Sequence, residues 1–263
     1  MSKLASFYQL VLNENMKIYY RIRTWIMLSI IVIFSALMPF VFSLIGGQEQ
    51  SNVWEVTVLS MSFTFFLNII FSVVIAADSV ASEFSGGTIK LLLIRPWSRS
   101  KILLSKYISV ILFSLLSTLL LFGISFLSSN IWFGYEGNLG LNSSSWSDMT
   151  YTFMTFGANY IELLLIITIA FMISTLFRSN TFAISMSLLI LFTKDILLAI
   201  LNPDKYEWMD YVIFTHMNLS GYINSSIGPG GSTFLFSIVI LGVYYVVFML
   251  LAWVAFNKRD VST

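Results

Sequence analysis

The sequence predicts an all-α integral membrane protein: six transmembrane helices, an N-terminal interfacial amphipathic helix, a cytoplasmic coupling helix and a short re-entrant outer element, all in one transmembrane domain. Three observations carry that prediction. Of 263 residues, 57% are hydrophobic and only 10% are charged, whereas soluble domains hold about 25% charged residues. Six stretches, 25–45, 54–77, 102–127, 156–177, 182–201 and 233–256, reach the roughly 20 apolar residues that a helix needs to cross the hydrocarbon core. The basic residues, finally, collect on one side of those stretches. With both termini cytoplasmic, that side holds twelve of the fourteen Lys and Arg but only four of the thirteen acidic residues (Glu14, Asp78, Glu83, Asp260), as the positive-inside rule requires of a multi-pass protein of the cell membrane.

At the N-terminal end, residues 1–24 do not span. Leu4, Phe7, Tyr8, Val11 and Leu12 recur at helical spacing and Ile18 and Ile22 continue the stripe, while Lys3, Asn13, Glu14, Lys17 and Arg21 fall elsewhere on the wheel. Such a helix lies along the inner leaflet; the competing reading, a solvated helix on a soluble domain, has almost no soluble domain to use. Pro39 lies in the outer half of the first span, where it removes a backbone donor and permits a kink. Between spans two and three, residues 78–101 form a cytoplasmic loop. Its acidic start continues the second helix out of the membrane, Gly86 and Gly87 allow a sharp change of direction, and Thr88 can cap the next short helix. Ile89 and Leu91 to Ile94 then make an apolar knob that Pro96 ends. Two readings of the knob stand: leucines resting in the inner leaflet with Arg95 and Arg99 on headgroups, or a short helix seated in a groove of a cytoplasmic partner.

On the outer side, 128–155 reads as a Gly-, Asn- and Ser-rich loop whose aromatic rings anchor at the headgroups. The connection 202–232, with Pro203, a mixed aromatic run and the breaker at 228–231, reads as a helical or re-entrant element covered by protein.

The residue types exclude several chemistries. With no cysteine and a single histidine, His216, neither disulfides nor the common zinc sites can be assembled. His216 reads as an interfacial side chain. No Gly-Lys dipeptide is present, so there is no phosphate-binding loop of the nucleotide-binding type. Net charge +1 and the lack of a basic run beyond the cytoplasmic loops argue against nucleic acid. Three charges stand inside apolar stretches: Glu162, Lys194 and Asp195. Glu162 and Lys194 share an outer depth, so they are candidates for an outer gate or a polar patch on an exit path. Snorkelling of Lys194 to the outer headgroups, with Asp195 beside it, is the equal alternative.

The 83–106 segment resembles the first cytoplasmic loop of the ABC transporter type-2 permease family, whose pattern is matched here by Glu83, Gly87, Thr88, Leu91, Leu92, Pro96, Ser98, Arg99 and Lys106. The ending 256–260, Phe-Asn-Lys-Arg-Asp, is similar to the family's basic tail. The resemblance implies a permease subunit without its motor. Glu83, Gly87, Thr88, Lys90, Leu91, Leu92, Leu93, Pro96 and Arg99 would form the coupling surface. Two cytoplasmic ABC ATPase subunits would bind it, and a second permease subunit would complete a homo- or heterodimer in the bilayer. No cofactor would be held by this chain, ATP and Mg belonging to the ATPase, and no enzyme activity of its own is implied. The cargo implied is amphipathic or hydrophobic, with export of, or immunity to, antimicrobial peptides the leading class. Three rivals stay open: a non-transporting anchor or sensor of an ATPase complex, an exporter of a lipid or lipid-linked glycan, and an intramembrane enzyme, for which no paired catalytic constellation is found.

Overall fold

A computed structural model describes residues 3–45, 51–88, 97–136, 146–177, 179–201, 205–225 and 228–258. Among them nine α-helices and no strand occur. Helices α1 (Lys3–Tyr19), α2 (Ile22–Leu44), α3 (Val53–Ser85), α4 (Arg99–Trp132), α5 (Asp148–Leu176) and α6 (Asn180–Ile200) are followed by α7 (Ile213–His216), α8 (Gly221–Asn224) and α9 (Phe234–Lys258), with 3-10 turns at Glu207–Tyr211 and Pro229–Gly231. Six of these, α2 to α6 and α9, are long and apolar enough to cross a membrane. They alternate in direction. Asn52 before α3 bonds Asp148 at the start of α5, while Val80 and Ala81 near the end of α3 bond Ser174 near the end of α5. The starts of α2, α4 and α6 and the ends of α3, α5 and α9 therefore share one end of the bundle, here termed the basic end.

Helix α3 is the axis of the fold, touching α2, α4, α5 and α6. Its Thr57, Ser60, Thr64, Asn68 and Ser72 recur at helical spacing and are fully buried. Small polar side chains of this kind let backbones approach closely where the surrounding lipid gives helices no hydrophobic reason to associate. Asn68 crosses to Thr118 of α4 at 2.9 Å, and Ser174 of α5 accepts from the Val80 and Ala81 amides and donates to the Ala77 carbonyl. The outward faces of α2, α6 and α9 carry exposed Ile, Leu, Val and Phe, as lipid-facing surfaces do.

At 33 and 34 residues, α3 and α4 are about 50 Å long, well beyond the roughly 30 Å of hydrocarbon. The expectation that the second helix continues past Ala77 agrees with this structure. Gly87 adopts φ +68° just past the end of α3, the left-handed geometry that makes glycine the usual residue there. The expectation for 128–155 is corrected. Residues 128–132 belong to α4 and 148–155 to α5, because Ser147 caps α5 through the Thr150 amide and Asp148 places a carboxylate in its first turn. Of the rings in that stretch, Phe133 is buried and Phe153 meets Trp54 and Phe122, while Trp132, Tyr135 and Trp146 stay exposed.

The connection from 205 onward is compact and tied to α9. His216 is fully buried, with Nδ1 2.7 Å from Ser237 Oγ and Nε2 2.7 Å from the Asp210 carbonyl. Reading it as an interfacial side chain is therefore corrected: both ring nitrogens are engaged inside the fold. Tyr222 reaches Ser232 and Ser237, each at 2.6 Å. Phe214 and Met217 share a small cavity with Ile166 and Ile169 of α5 and Ile190 and Leu191 of α6, well inside both helices.

Candidate functional site

Charges from α1, α3 and α4 come together at the basic end. Glu14 of α1, Lys17 of α1, Glu83 of α3 and Lys106 of α4 form a closed ring of alternating sign: Lys17 to Glu14 2.7 Å, Lys17 to Glu83 2.9 Å, Lys106 to Glu14 2.7 Å and Lys106 to Glu83 2.6 Å. Lys106 is 2% exposed at its side chain. Beside the ring, Arg21 and Arg23 both pair with Asp78, whose other oxygen accepts from the Asn180 amide at 2.7 Å. One charged cluster thus ties the starts of α2, α4 and α6 and the end of α3 to α1.

Local sequence explains how the groups arrive there. Glu14 and Lys17 are three residues apart on α1, whose Leu10 and Val11 are buried on the same side. Ser109 of α4 reaches the Val11 carbonyl at 3.1 Å. Placing Glu14 on a solvated face of α1 is therefore corrected; its burial results from docking against α4. Tyr8, Leu12 and Met16 form the exposed apolar face instead. The turn into α2 is closed by side chains that take the free carbonyls of α1's last turn, Thr24 Oγ1 to Ile18 at 2.6 Å and Trp25 Nε1 to Tyr19 at 2.9 Å. Lys17 is held above its usual pKa. Its burial acts the other way, but the Glu14 and Glu83 carboxylates together outweigh it.

The residues assigned to coupling divide. Glu83 turns into the ring, where it holds α3 against α1 and α4. Gly87 makes the exit turn, and the Thr88 hydroxyl returns to the Glu83 carbonyl at 3.4 Å. Arg99 donates to the Asn257 carbonyl at 3.0 Å, and Ser100 accepts from Trp253 at 2.9 Å, so the start of α4 and the end of α9 are joined. A cation on the last carbonyls of a helix is also favoured by its dipole. Lys90, Leu91, Leu92, Leu93 and Pro96 lie outside the described residues.

At the other end, Glu162 and Lys194 do meet. They form an ion pair with side chains 16% and 14% exposed, and Asp195 stands 3.8 Å from Lys194 and is 76% exposed. The three flank a cleft of about 280 Å³ with Phe65, Phe66, Asn159 and Asn218. The snorkelling alternative for Lys194 is not the arrangement present.

Sequence reasoning missed Glu14, Lys17, Arg21, Arg23, Asp78 and Lys106 as a unit. The available signal was scarcity: very few acids stand among the basic residues of that side, and Glu14, Asp78 and Glu83 are each paired. It also passed over Glu55, which lies within 54–77 and is 1% exposed. Asn52 followed three residues later by Glu55 is a capping-box pattern, and the Asn52 side chain accepts from the Glu55 amide at 2.9 Å.

The family described as "Protein of unknown function (DUF2705)" matches residues 15–262. The chain belongs to this family. Its similarity extends to "Uncharacterized protein YhcI" of Bacillus subtilis (strain 168), 37% identical over 227 residues that cover 83% of this chain and 72% of that protein. "Uncharacterized membrane protein YdbK" of the same organism is 28% identical over 253 residues, 94% of this chain and 99% of that protein. That name and the six apolar helices agree on a multi-pass membrane protein. In this DUF2705 chain the match begins inside α1, so it takes in Lys17, Arg21, Arg23, Asp78, Glu83 and Lys106 of the charged cluster.

Proposed function

We propose that this chain is the permease subunit of an ATP-driven ABC exporter, with the basic end cytoplasmic and the 89–96 segment as the contact for a separate ATPase pair. The observation that supports it most is the buried cluster at the root of that segment. Its two flanks, the end of α3 and the start of α4, are fixed to each other through Glu83 and Lys106 and to α1, α2 and α6 through Glu14, Asp78 and Asn180. A push on the segment between them would reach α3 and α4 as movement of a rigid pair rather than be lost in local bending. Both helices are long enough to carry it across the membrane. In this reading α1 lies in the inner leaflet, its exposed Tyr8, Leu12 and Met16 facing lipid, and 202–232 is a re-entrant outer element, for which the reach of Phe214 and Met217 is the support. Two such chains, or this chain and a relative, make the transporter.

The Glu162–Lys194 pair lies on the exit path of this transporter as an outer gate, beside a cleft that is aromatic on one wall and polar on the other. Such a lining suits an amphipathic or hydrophobic cargo, a peptide in the first place, drawn from the cell or inner leaflet. The test starts from the neighbouring reading frames. An ATPase encoded beside this chain should co-purify with it, and cargo transport in proteoliposomes should require both ATP and that ATPase. Replacing Leu91 and Leu92 by Asp should abolish co-purification. Transport that survives deletion of 91–93 would sink the proposal.

A further inference from the structure

The charges of the basic end do not balance. The ring of Glu14, Lys17, Glu83 and Lys106 carries equal charge of each sign, but Arg21 and Arg23 share the single carboxylate of Asp78. Around the cavity of about 40 Å³ that these side chains enclose stand Lys17, Arg21, Arg23 and Lys106 against Glu14, Asp78 and Glu83. Four cations meet three carboxylates, an excess of one positive charge.

The signs are also layered. The Glu14, Asp78 and Glu83 side chains are 5%, 5% and 10% exposed, with Lys106 among them at 2%, whereas those of Lys17, Arg21 and Arg23 are 41%, 42% and 35% exposed. Anions line the floor and cations the mouth. Arg23 Nε is buried with no acceptor, an unused donor on a guanidinium that already lends another nitrogen to Asp78. A buried donor without a partner is costly, so an acceptor there is favoured.

The surroundings fix the kind of acceptor. The three exposed cations flank the junction of α1 and α2, where Tyr20 and Trp25 are 82% and 59% exposed and Ile22 and Ile26, at the start of an apolar helix, are exposed too. Exposed aromatic rings at the end of a spanning helix belong at the headgroup level. Guanidinium groups match phosphate oxygens through paired N–H donors. A phosphodiester carries the one negative charge needed.

We infer that Lys17, Arg21 and Arg23 bind one phosphate-bearing anion, supplied in the membrane by the headgroup of an anionic phospholipid whose chains lie along Ile22 and Ile26. The lipid completes the charge of the cluster that joins α1 to the bundle. Whichever machine this chain serves, the firmness of that joint then depends on the anionic lipid of the leaflet.

The full-length protein, purified and placed in nanodiscs of phosphatidylcholine alone or with phosphatidylglycerol, supplies the test. Thermal stability and lipid retained in native mass spectrometry are the readouts. The wild type is expected to retain one phosphatidylglycerol and to melt higher in its presence. Arg21→Gln brings the cluster to three charges of each sign. It should be at least as stable as wild type in phosphatidylcholine, gain nothing from phosphatidylglycerol and bind it about tenfold or more weakly, the effect of one charge-assisted bond. Lys17→Gln should show the same loss, while Lys205→Gln, an exposed lysine at the opposite end, should behave as wild type. Displacement of phosphatidylglycerol by millimolar inorganic phosphate, with the same stabilisation, would support the phosphate site and assign its source to the soluble ion. Equal retention of phosphatidylcholine and phosphatidylglycerol by wild type, or undiminished phosphatidylglycerol binding in both variants, would overturn the inference. So would an Arg21→Gln protein that fails to fold in phosphatidylcholine, since removing an excess cation should not harm the cluster.

Discussion

Lys106→Met removes the most buried member of the charged ring. In the wild type its ammonium sits 2.7 Å from Glu14 and 2.6 Å from Glu83, with the lysine side chain 2% exposed. Methionine fills most of the same volume, so packing changes little and the loss is electrostatic. Two buried carboxylates then share Lys17 alone, whose side chain is 41% exposed. Breaking a buried pair by removing one partner costs about 3–5 kcal/mol, because the remaining charge stays buried. For a chain of this size each kcal/mol moves the midpoint by about 2–4 °C, so a fall of about 6–20 °C is expected. Lys17→Met deletes the exposed cation from the same ring and should cost about 1 kcal/mol or less. The double variant Lys106→Met/Glu83→Gln leaves a balanced Glu14–Lys17 pair and should recover part of the loss, with a coupling of about 1–3 kcal/mol. The assay is thermal unfolding of these proteins and of the Glu83→Gln single variant in one detergent, followed by tryptophan fluorescence. A Lys106→Met protein within about 2 °C of wild type by the same scale, or one no worse than Lys17→Met, would refute a buried ring as the clamp between α3, α4 and α1.

The remaining predictions concern two other sites and then the ring again. Glu162→Gln and Lys194→Met should each destabilise by about 2 kcal/mol by stranding a charge among apolar helices, and the double variant should recover most of that in the same melting assay; additive losses would deny the pair. His216→Ala leaves the Asp210 carbonyl and Ser237 without their shared partner and opens a cavity, so about 2–4 kcal/mol of local stability should go. Limited proteolysis should then cut within 205–232 faster than in wild type. Gly230→Ala should do the same, since its φ is +66° and a Cβ would stand 2.2 Å from Asp210 Oδ1. The last concerns alkaline pH. The pKa of Lys17 is raised above 10.5 in the folded chain by Glu14 and Glu83, against the effect of burial. Its contribution to stability is therefore complete below that unfolded value and disappears as pH rises through the higher folded value. Lys17→Met should lack this component, which a comparison of melting midpoints between about pH 9 and pH 12 would reveal.

Residue by residue, what could be read in advance was whatever depends on composition and local periodicity. The six apolar runs could be placed because each backbone group in hydrocarbon must be satisfied within its own helix, and the Gly86–Gly87 exit turn was visible because few other residues accept its geometry. The pairing of Glu162 with Lys194 could be framed as a choice, since depth along two helices is countable, but not decided, since rotation of those helices about their axes is not. Glu14 was assigned to the wrong face for the same reason. Helix α1 is amphipathic in two directions, and only its neighbours α3 and α4 fix which side is buried. The start of α5 at Asp148 was missed because a Ser-Asp cap in a Ser-rich stretch is weak beside the apolar signal that succeeds it.

Composition and hydropathy were enough to establish that this chain lives in a membrane, how many helices are long enough to cross it and which side gathers the cations, because these are sums over many residues and survive errors at any one. Packing of the helices, and nothing short of it, draws Glu14, Lys17, Asp78, Glu83 and Lys106 into one cluster, with all but Lys17 buried, instead of five surface charges. Members up to 92 positions apart in the chain meet only when α1, α3 and α4 have packed, and once water is excluded each carboxylate must find a cation. That necessity acts through space, and no local pattern records it.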